Sequence, residues 1–327
     1  MPGIFEALPG IDVPVASISK GLADMWEGNA SQGKPSPGHD HAKAIQVNFV
    51  LHLGLKTDAA DAVRQFETAV RFSRRYPCRV VVLCPISKET GTMEIKAKVY
   101  GECTVGKTPE DTRCCEFVIL SYPRSAREHL ENQVSICLST DIPIYYWAHR
   151  FSEAAKLADY KYLLTSAKRV LIDSATAPAD AEGFPWPKPQ NVRDLAFARL
   201  LPVRQAIGQF LSRYPAKSIG VGITSVELAH GSELAPEAKV LLGWLRARIR
   251  DCGGPDGIGT LHAAPQLAAR KIEINFSYPD KRSFKWSADL ADGHSVFDAD
   301  YGTGHAEMTA AVALLSPENA LSEAMFF

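Results

Sequence analysis

Long apolar runs are missing from this sequence: no stretch approaches the ~20 residues that a membrane-crossing helix needs. Excess charge of either sign is missing too. The chain has 36 Lys and Arg against 37 Asp and Glu, which gives no field suited to a nucleic acid or a membrane surface. The opening residues, MPGIFEALPGID, lack the basic stretch and apolar segment of a secretory signal. A cytoplasmic location is therefore expected. The seven cysteines, an odd number with several inside predicted strands, are expected to be free thiols. The patterns G-x-S-x-G, H-E-x-x-H and C-x-x-C do not occur, so the nucleophile elbow, the helical zinc site and the dithiol motif have no candidates. The nine histidines show no ligand spacing. His39 and His41 form an H-x-H pair in a stretch rich in Gly, Pro and Ser (residues 29–41), and they read as solvated loop residues. No catalytic, cofactor-binding or metal-ligating residue is assigned.

What is present is an alternation of strand and helix signals. At 327 residues the chain suits one large or two modest domains. Residues 112–174 read strand, helix, strand, helix, strand. Phe117 to Leu120 is a short buried strand, and Ala126, Leu130, Val134 and Cys137 form a helical stripe. Pro143 precedes the aromatic strand at residues 144–147, Ser152 is positioned to cap a second helix, and residues 170–172 form a third strand. Such alternation implies parallel βαβ units. Upstream, residues 44–55 and 78–85 are strands flanking a helix that opens at Thr57 or Asp58. Arg71, Arg74 and Arg75 fall in that helix's last turns, where cations favour the negative end. Residues 92–100 alternate, with Glu94, Lys96 and Lys98 facing water, and lead into a further strand without a helix. The sheet is therefore mixed.

The Pro-rich residues 177–190 (APADAEGFPWPKPQ) mark a linker. The expected organisation is an α/β domain with a mixed sheet over residues 1–176 and a smaller α+β domain over residues 191–327. In the second, Asn191 is expected to cap a long helix that Pro202 kinks or splits. A strand is expected at residues 218–223 and a helix at residues 236–249. The alternating residues 271–278 and 283–290 form a hairpin, and residues 306–315 a last helix.

Gly101, Gly106, Lys107 and Thr108 fit G-x-x-x-x-G-K-[ST], the phosphate-binding loop. That loop needs a helix N-terminus behind it. Pro109 follows at once, and the next strand begins near Cys114, so the match reads as a hairpin loop. The competing function is a nucleotide- or sugar-phosphate-binding enzyme using the Gly101 to Thr108 loop. Cys114 and Cys115 point to opposite faces of one strand, so at most one can face Cys103 across the hairpin. Cys103 with Cys115 is the candidate redox pair, beside the plainer reading of buried small hydrophobes.

An ordered series of motifs resembles the OpcA family, the glucose-6-phosphate dehydrogenase assembly proteins. The series is residues 76–85 (YPCRVVVLCP), Cys115-Glu116, Asp141-Ile142-Pro143 leading into Tyr146-Trp147, residues 170–174 (VLIDS) and residues 194–204 (DLAFARLLPVR). Phe197 and Val203 stand where the family usually has Trp. The resemblance implies a protein that performs no chemistry itself. It would bind glucose-6-phosphate dehydrogenase and favour its assembly or active state in the oxidative pentose phosphate pathway, with no cofactor, nucleic acid or membrane. Tyr145, Tyr146, Trp147, Arg199 and Arg204 are the candidate partner interface, each with a structural alternative: core for the aromatics, ion pairing for the arginines.

Overall fold

The computed structural model describes residues 3–37, 46–86, 94–105, 107 and 112–327. The expected His39/His41 loop lies outside them. The chain divides into two compact units, residues 1–194 with 321–327, and residues 195–320.

The first unit carries an eight-stranded mixed sheet in the order β1-β4-β5-β3-β2-β6-β7-β8. Its strands are β1 (Ile11–Val13), β2 (Val47–Leu53), β3 (Cys78–Pro85), β4 (Lys96–Val105), β5 (Thr112–Tyr122), β6 (Ile144–His149), β7 (Ala167–Ile172) and β8 (Val192–Asp194). Strands β5, β3, β2, β6, β7 and β8 are mutually parallel, while β4 and β1 extend one edge antiparallel. The helices are α1 (Ile4–Ala7), α2 (Ile18–Ser31), α3 (Ala59–Arg75), α4 (Arg127–Cys137) and α5 (Lys161–Ser166). β2 is buried at every position, the signature of a strand covered on both faces. α3 starts where Asp58 caps it, accepting a hydrogen bond from the Asp61 amide.

The second unit begins with α6 (Leu195–Arg199), α7 (Leu201–Leu211) and α8 (Ala216–Gly220), and α9 (Ala235–Asp251) follows β9. Its six-stranded sheet, in the order β10-β9-β11-β12-β13-β14, is built from β9 (Ser225–His230), β10 (Thr260–Ala263), β11 (Lys271–Ser277), β12 (Ser283–Asp289), β13 (His294–Asp300) and β14 (His305–Ala311). One face packs on the helices through Ile274, Phe276, Phe284, Trp286 and Phe297. The last helix is α10 (Pro317–Phe326).

The expected α/β and α+β halves are both present, and several local expectations are corrected. The division falls between Asp194 and Leu195 instead of within residues 177–190. That Pro-rich stretch is packed into the first unit: Ala181 is buried, and Asp180 accepts from the Ala154 amide at 2.9 Å. Asp180 thus opens the helical turn expected to start from Ser152. Asn191 precedes a strand, because its side-chain amide donates to Ala167 O and Asp194 accepts from the Ser174 amide. Lys98 is buried, since α1 covers that face and the ammonium donates to Phe5 O at 2.9 Å and Leu8 O at 3.1 Å. Residues 218–223 include the end of α8, and the expected last helix at residues 306–315 is mostly β14. There the alternation of His305, Glu307 and Thr309 with Ala306, Met308 and Ala310 suits the sheet edge better than a helix stripe. Pro202 does divide its segment, with α6 before it and α7 around it.

Candidate functional site

β2 is the pivot of the first sheet. From it the chain moves to β3 and β5 on one side, while β6, β7 and β8 lie on the other. In an open parallel sheet, ligands bind outside the carboxyl ends of the strands at such a reversal. The position here is between Leu53-Gly54 and His149-Arg150.

This crevice is occupied by the chain's own groups. The Gly54 amide donates to His149 O at 2.6 Å, and a Cβ at Gly54 would lie 2.3 Å from Arg150 O. Arg150 itself adopts φ +49°, a left-handed conformation that costs energy outside glycine. Asp61, in the first turn of α3, is buried with side-chain exposure of 3%. Its carboxylate accepts from His149 Nε2 at 2.8 Å, Gln65 Nε2 at 2.9 Å and Arg64 at 3.1 Å, and pairs with Arg150 Nε at 2.7 Å. Burial pushes its pKa up, but the hydrogen bonds of His149 and Gln65 and the charges of His149 and Arg150 outweigh it and hold the carboxyl well below the usual carboxylate range. A carboxylate with three hydrogen-bond donors, an arginine ion pair and so low a pKa is a poor proton acceptor. Its geometry is that of a clamp joining α3 to the end of β6. His149 Nδ1 and Thr57 Oγ1 are buried beside it with no hydrogen-bond partner among the described residues.

A second polar group lies across the sheet. His52, fully buried, makes hydrogen bonds with the Tyr146 hydroxyl at 2.8 Å and the Tyr122 hydroxyl at 2.6 Å, and Tyr122 joins Tyr160 at 2.8 Å. Tyr160 and Arg127, which pairs with Asp159, line a surface pocket of about 130 Å³. Burial, then the Arg127 charge, lowers the His52 pKa to about 3, so the ring is neutral. Burial raises the phenols of Tyr122 and Tyr146. None of these three changes charge near neutrality. Sequence reasoning missed both groups. The available signal was a His in the otherwise mostly apolar strand VNFVLHL, and a His-Arg pair directly after another buried strand.

The sequence-predicted interface is largely internal. Tyr145 packs edge-on against Phe326, Tyr146 holds His52, and Trp147 stacks on Phe49, all three with exposures of 3% or less. The core alternative is the correct one for them. Arg199 pairs with the buried Glu237 at 2.7 Å. Arg204 stacks its guanidinium 3.6 Å from the centroid of Phe197, which is 40% exposed.

Cys103 is disulfide-bonded to Cys114, correcting both the choice of Cys115 and the expectation of free thiols throughout. The register pairs Cys103 directly with Cys114, so these two side chains share a face. Cys115 points to the opposite face, where it is buried and donates to Glu102 O. The phosphate-loop match is equally concrete. Gly101 to Val105 lie in β4, paired residue by residue with β5 from Glu116 to Thr112. Of the six residues between the two strands only Lys107 is described; Gly106 and Thr108 of the match lie outside the described residues. Gly101 has a packing reason: a Cβ there would meet Met25 Cε at 2.4 Å and the Trp26 ring at 2.5 Å. Among the described residues no group of three or more His, Cys, Asp or Glu is placed to hold a metal, and no helix is long and apolar enough to cross a membrane.

The first unit is thus a parallel-centred α/β sheet whose usual ligand crevice is closed by a charged clamp. Residues 69–184, which run from α3 past β7, match the family model described as glucose-6-phosphate dehydrogenase subunit N-terminal domain. The chain is also similar to the putative OxPP cycle protein OpcA of Nostoc punctiforme, 23% identical over 188 residues. That match covers 54% of this chain and only 38% of the relative's length. Over these residues the OpcA resemblance read from the ordered motifs is shown. Among solved structures, glucose-6-phosphate 1-dehydrogenase from Mycobacterium avium aligns at 11% identity over 86% of each chain with a TM-score of 0.46, a likeness too loose to carry an argument.

Proposed function

We propose that this protein is a non-catalytic, cytoplasmic partner of glucose-6-phosphate dehydrogenase that promotes its assembly or active state in the oxidative pentose phosphate pathway. The observation that carries the reading is the family match over residues 69–184, whose description names that enzyme's subunit. The site geometry supports it. Among the described residues the switch point of the first unit's sheet is filled by Asp61, His149 and Arg150, which suits a scaffold better than a substrate cleft. Activation by such a scaffold requires only that it bind one state of the enzyme more tightly than another. Of the residues expected at the interface, Arg204, stacked on exposed Phe197, retains the character of a contact: an aromatic and an arginine together at a surface.

The test is to mix the purified protein with the dehydrogenase of the same organism, follow NADPH formation and measure co-elution. The expected result is a complex with raised activity. No complex and no rate change across substrate concentrations overturns the reading. Within a working complex, Phe197→Ala with Arg204→Ala is expected to weaken binding; unchanged affinity removes this patch from the interface.

A further inference from the structure

The second unit contains an apolar pocket of about 250 Å³ between α7, α8 and α9. Its walls are Leu211, Ile219, Trp244, Leu245, Ile249 and Phe276. An apolar cavity of roughly 150 Å³ accepts benzene, so this one has room for a two-ring aromatic or a short alkyl chain.

Two features of the lining bear on what it can hold. Gly208 lies within α7, where glycine weakens a helix. Yet a Cβ there would meet nothing within 4 Å, so no neighbour in the structure requires its absence. Its effect is to leave the pocket open on that side. The charged lining residue is Arg248, 59% exposed and paired with Asp251 through one terminal nitrogen at 2.9 Å. The planar guanidinium has further donors to offer. An apolar chamber with a single cationic fork at its mouth is complementary to a molecule with a compact apolar body and one carboxylate.

We propose that this pocket binds a small apolar or aromatic carboxylate, its body among Trp244, Leu245 and Phe276 and its carboxylate on Arg248. The site is separate from the first unit's clamp and does not depend on the proposed dehydrogenase partnership.

Cys252 provides a local reporter. It lines the pocket, and it is the partly exposed free thiol; Cys78, Cys84, Cys115 and Cys137 are buried. The experiment titrates the full chain with 2-naphthoate by calorimetry and measures maleimide labelling of Cys252 by mass spectrometry. Saturable binding that slows Cys252 labelling is expected. Arg248→Gln, and in parallel the neutral probe 2-naphthylmethanol on the wild type, should each weaken binding by about three- to fivefold, the range of an exposed ion pair. Gly208→Leu should weaken it by at least about tenfold, because the added side chain takes the ligand's volume. The neutral probe needs no variant, so a folding defect cannot decide the outcome. Absence of saturable binding at millimolar 2-naphthoate overturns the proposal, as does equal binding of the neutral probe. Protection of Cys252 by the dehydrogenase but not by 2-naphthoate also overturns it, and assigns the pocket to a partner's side chain.

Discussion

Exchange of His52 for Gln isolates one proton-linked contribution to the stability of the first sheet. The ring is fully buried between the Tyr122 and Tyr146 hydroxyls, and its pKa is lowered from 6.5 to about 3, by burial first and the Arg127 charge second. The unfolded chain therefore binds a proton that the folded chain does not in the window between those two values. The contribution is fully present above pH 6.5 and is lost as pH falls toward 3. At about pH 5 the unfolded ring has gained roughly 1.5 units of protonation advantage, which at about 1.4 kcal/mol per unit is about 2 kcal/mol. The assay is urea unfolding at about pH 7.5 and about pH 5, read by pulse hydrogen exchange of the β2 peptide so that the first unit is followed by itself. Gln can still exchange hydrogen bonds with both hydroxyls, so the fold is retained at some cost at both pH values. The quantity compared is the pH dependence, which should be shallower in the variant by about 2 kcal/mol. Parallel behaviour of the two proteins would refute the argument that His52 is held neutral.

Asp61→Asn removes the charge that His149 and Arg150 share and should cost about 2–3 kcal/mol near neutrality; a shift in urea midpoint worth under about 0.5 kcal/mol would contradict the clamp. In the wild type the Asp61 contribution is intact above the ordinary carboxylate value of 3.8 and disappears as pH falls below it, a lower window than that of His52. Gly101→Ala should destabilise the chain by about 1–3 kcal/mol through contact with Trp26 and Met25. Lys107→Ala, at an exposed position, should leave stability and dehydrogenase activation unchanged; saturable ATP binding lost in that variant would restore the phosphate-loop reading. Peptide mapping without reductant should recover Cys103 linked to Cys114, and a Cys103–Cys115 link would show the hairpin register to be different.

Elements whose pattern is local were legible in the sequence. The bounds of β3 follow from the run CRVVVLCP, α3 from the cap at Asp58, and the β11–β12 hairpin from strict alternation on both sides of a turn. Reading failed where a distant segment decides the local structure. Asp180 supplies the cap expected from Ser152, α1 buries a lysine that alternation sends to water, and Ala167 recruits Asn191 away from a helix start. The aromatic run at residues 145–147 was ambiguous because burial depends on what lies beside and over the strand: Phe49 and His52 of the neighbouring β2 flank it, and Phe326 packs on Tyr145. The clamp could not be read from spacing, because Asp61 and His149 lie 88 residues apart and meet only through the order of β2 and β6.

The most direct measurement of the central claim is the dehydrogenase rate at fixed enzyme and substrate with increasing amounts of this protein, alongside the same series with Asp61→Asn at a temperature where the variant is folded. Saturable activation by both chains is expected, since Asp61 holds the scaffold and touches no substrate. Absence of activation by the wild type would contradict the proposed function. Activation by the wild type that the folded Asp61→Asn protein lacks entirely would instead place chemistry or contact at the crevice that Asp61, His149 and Arg150 fill.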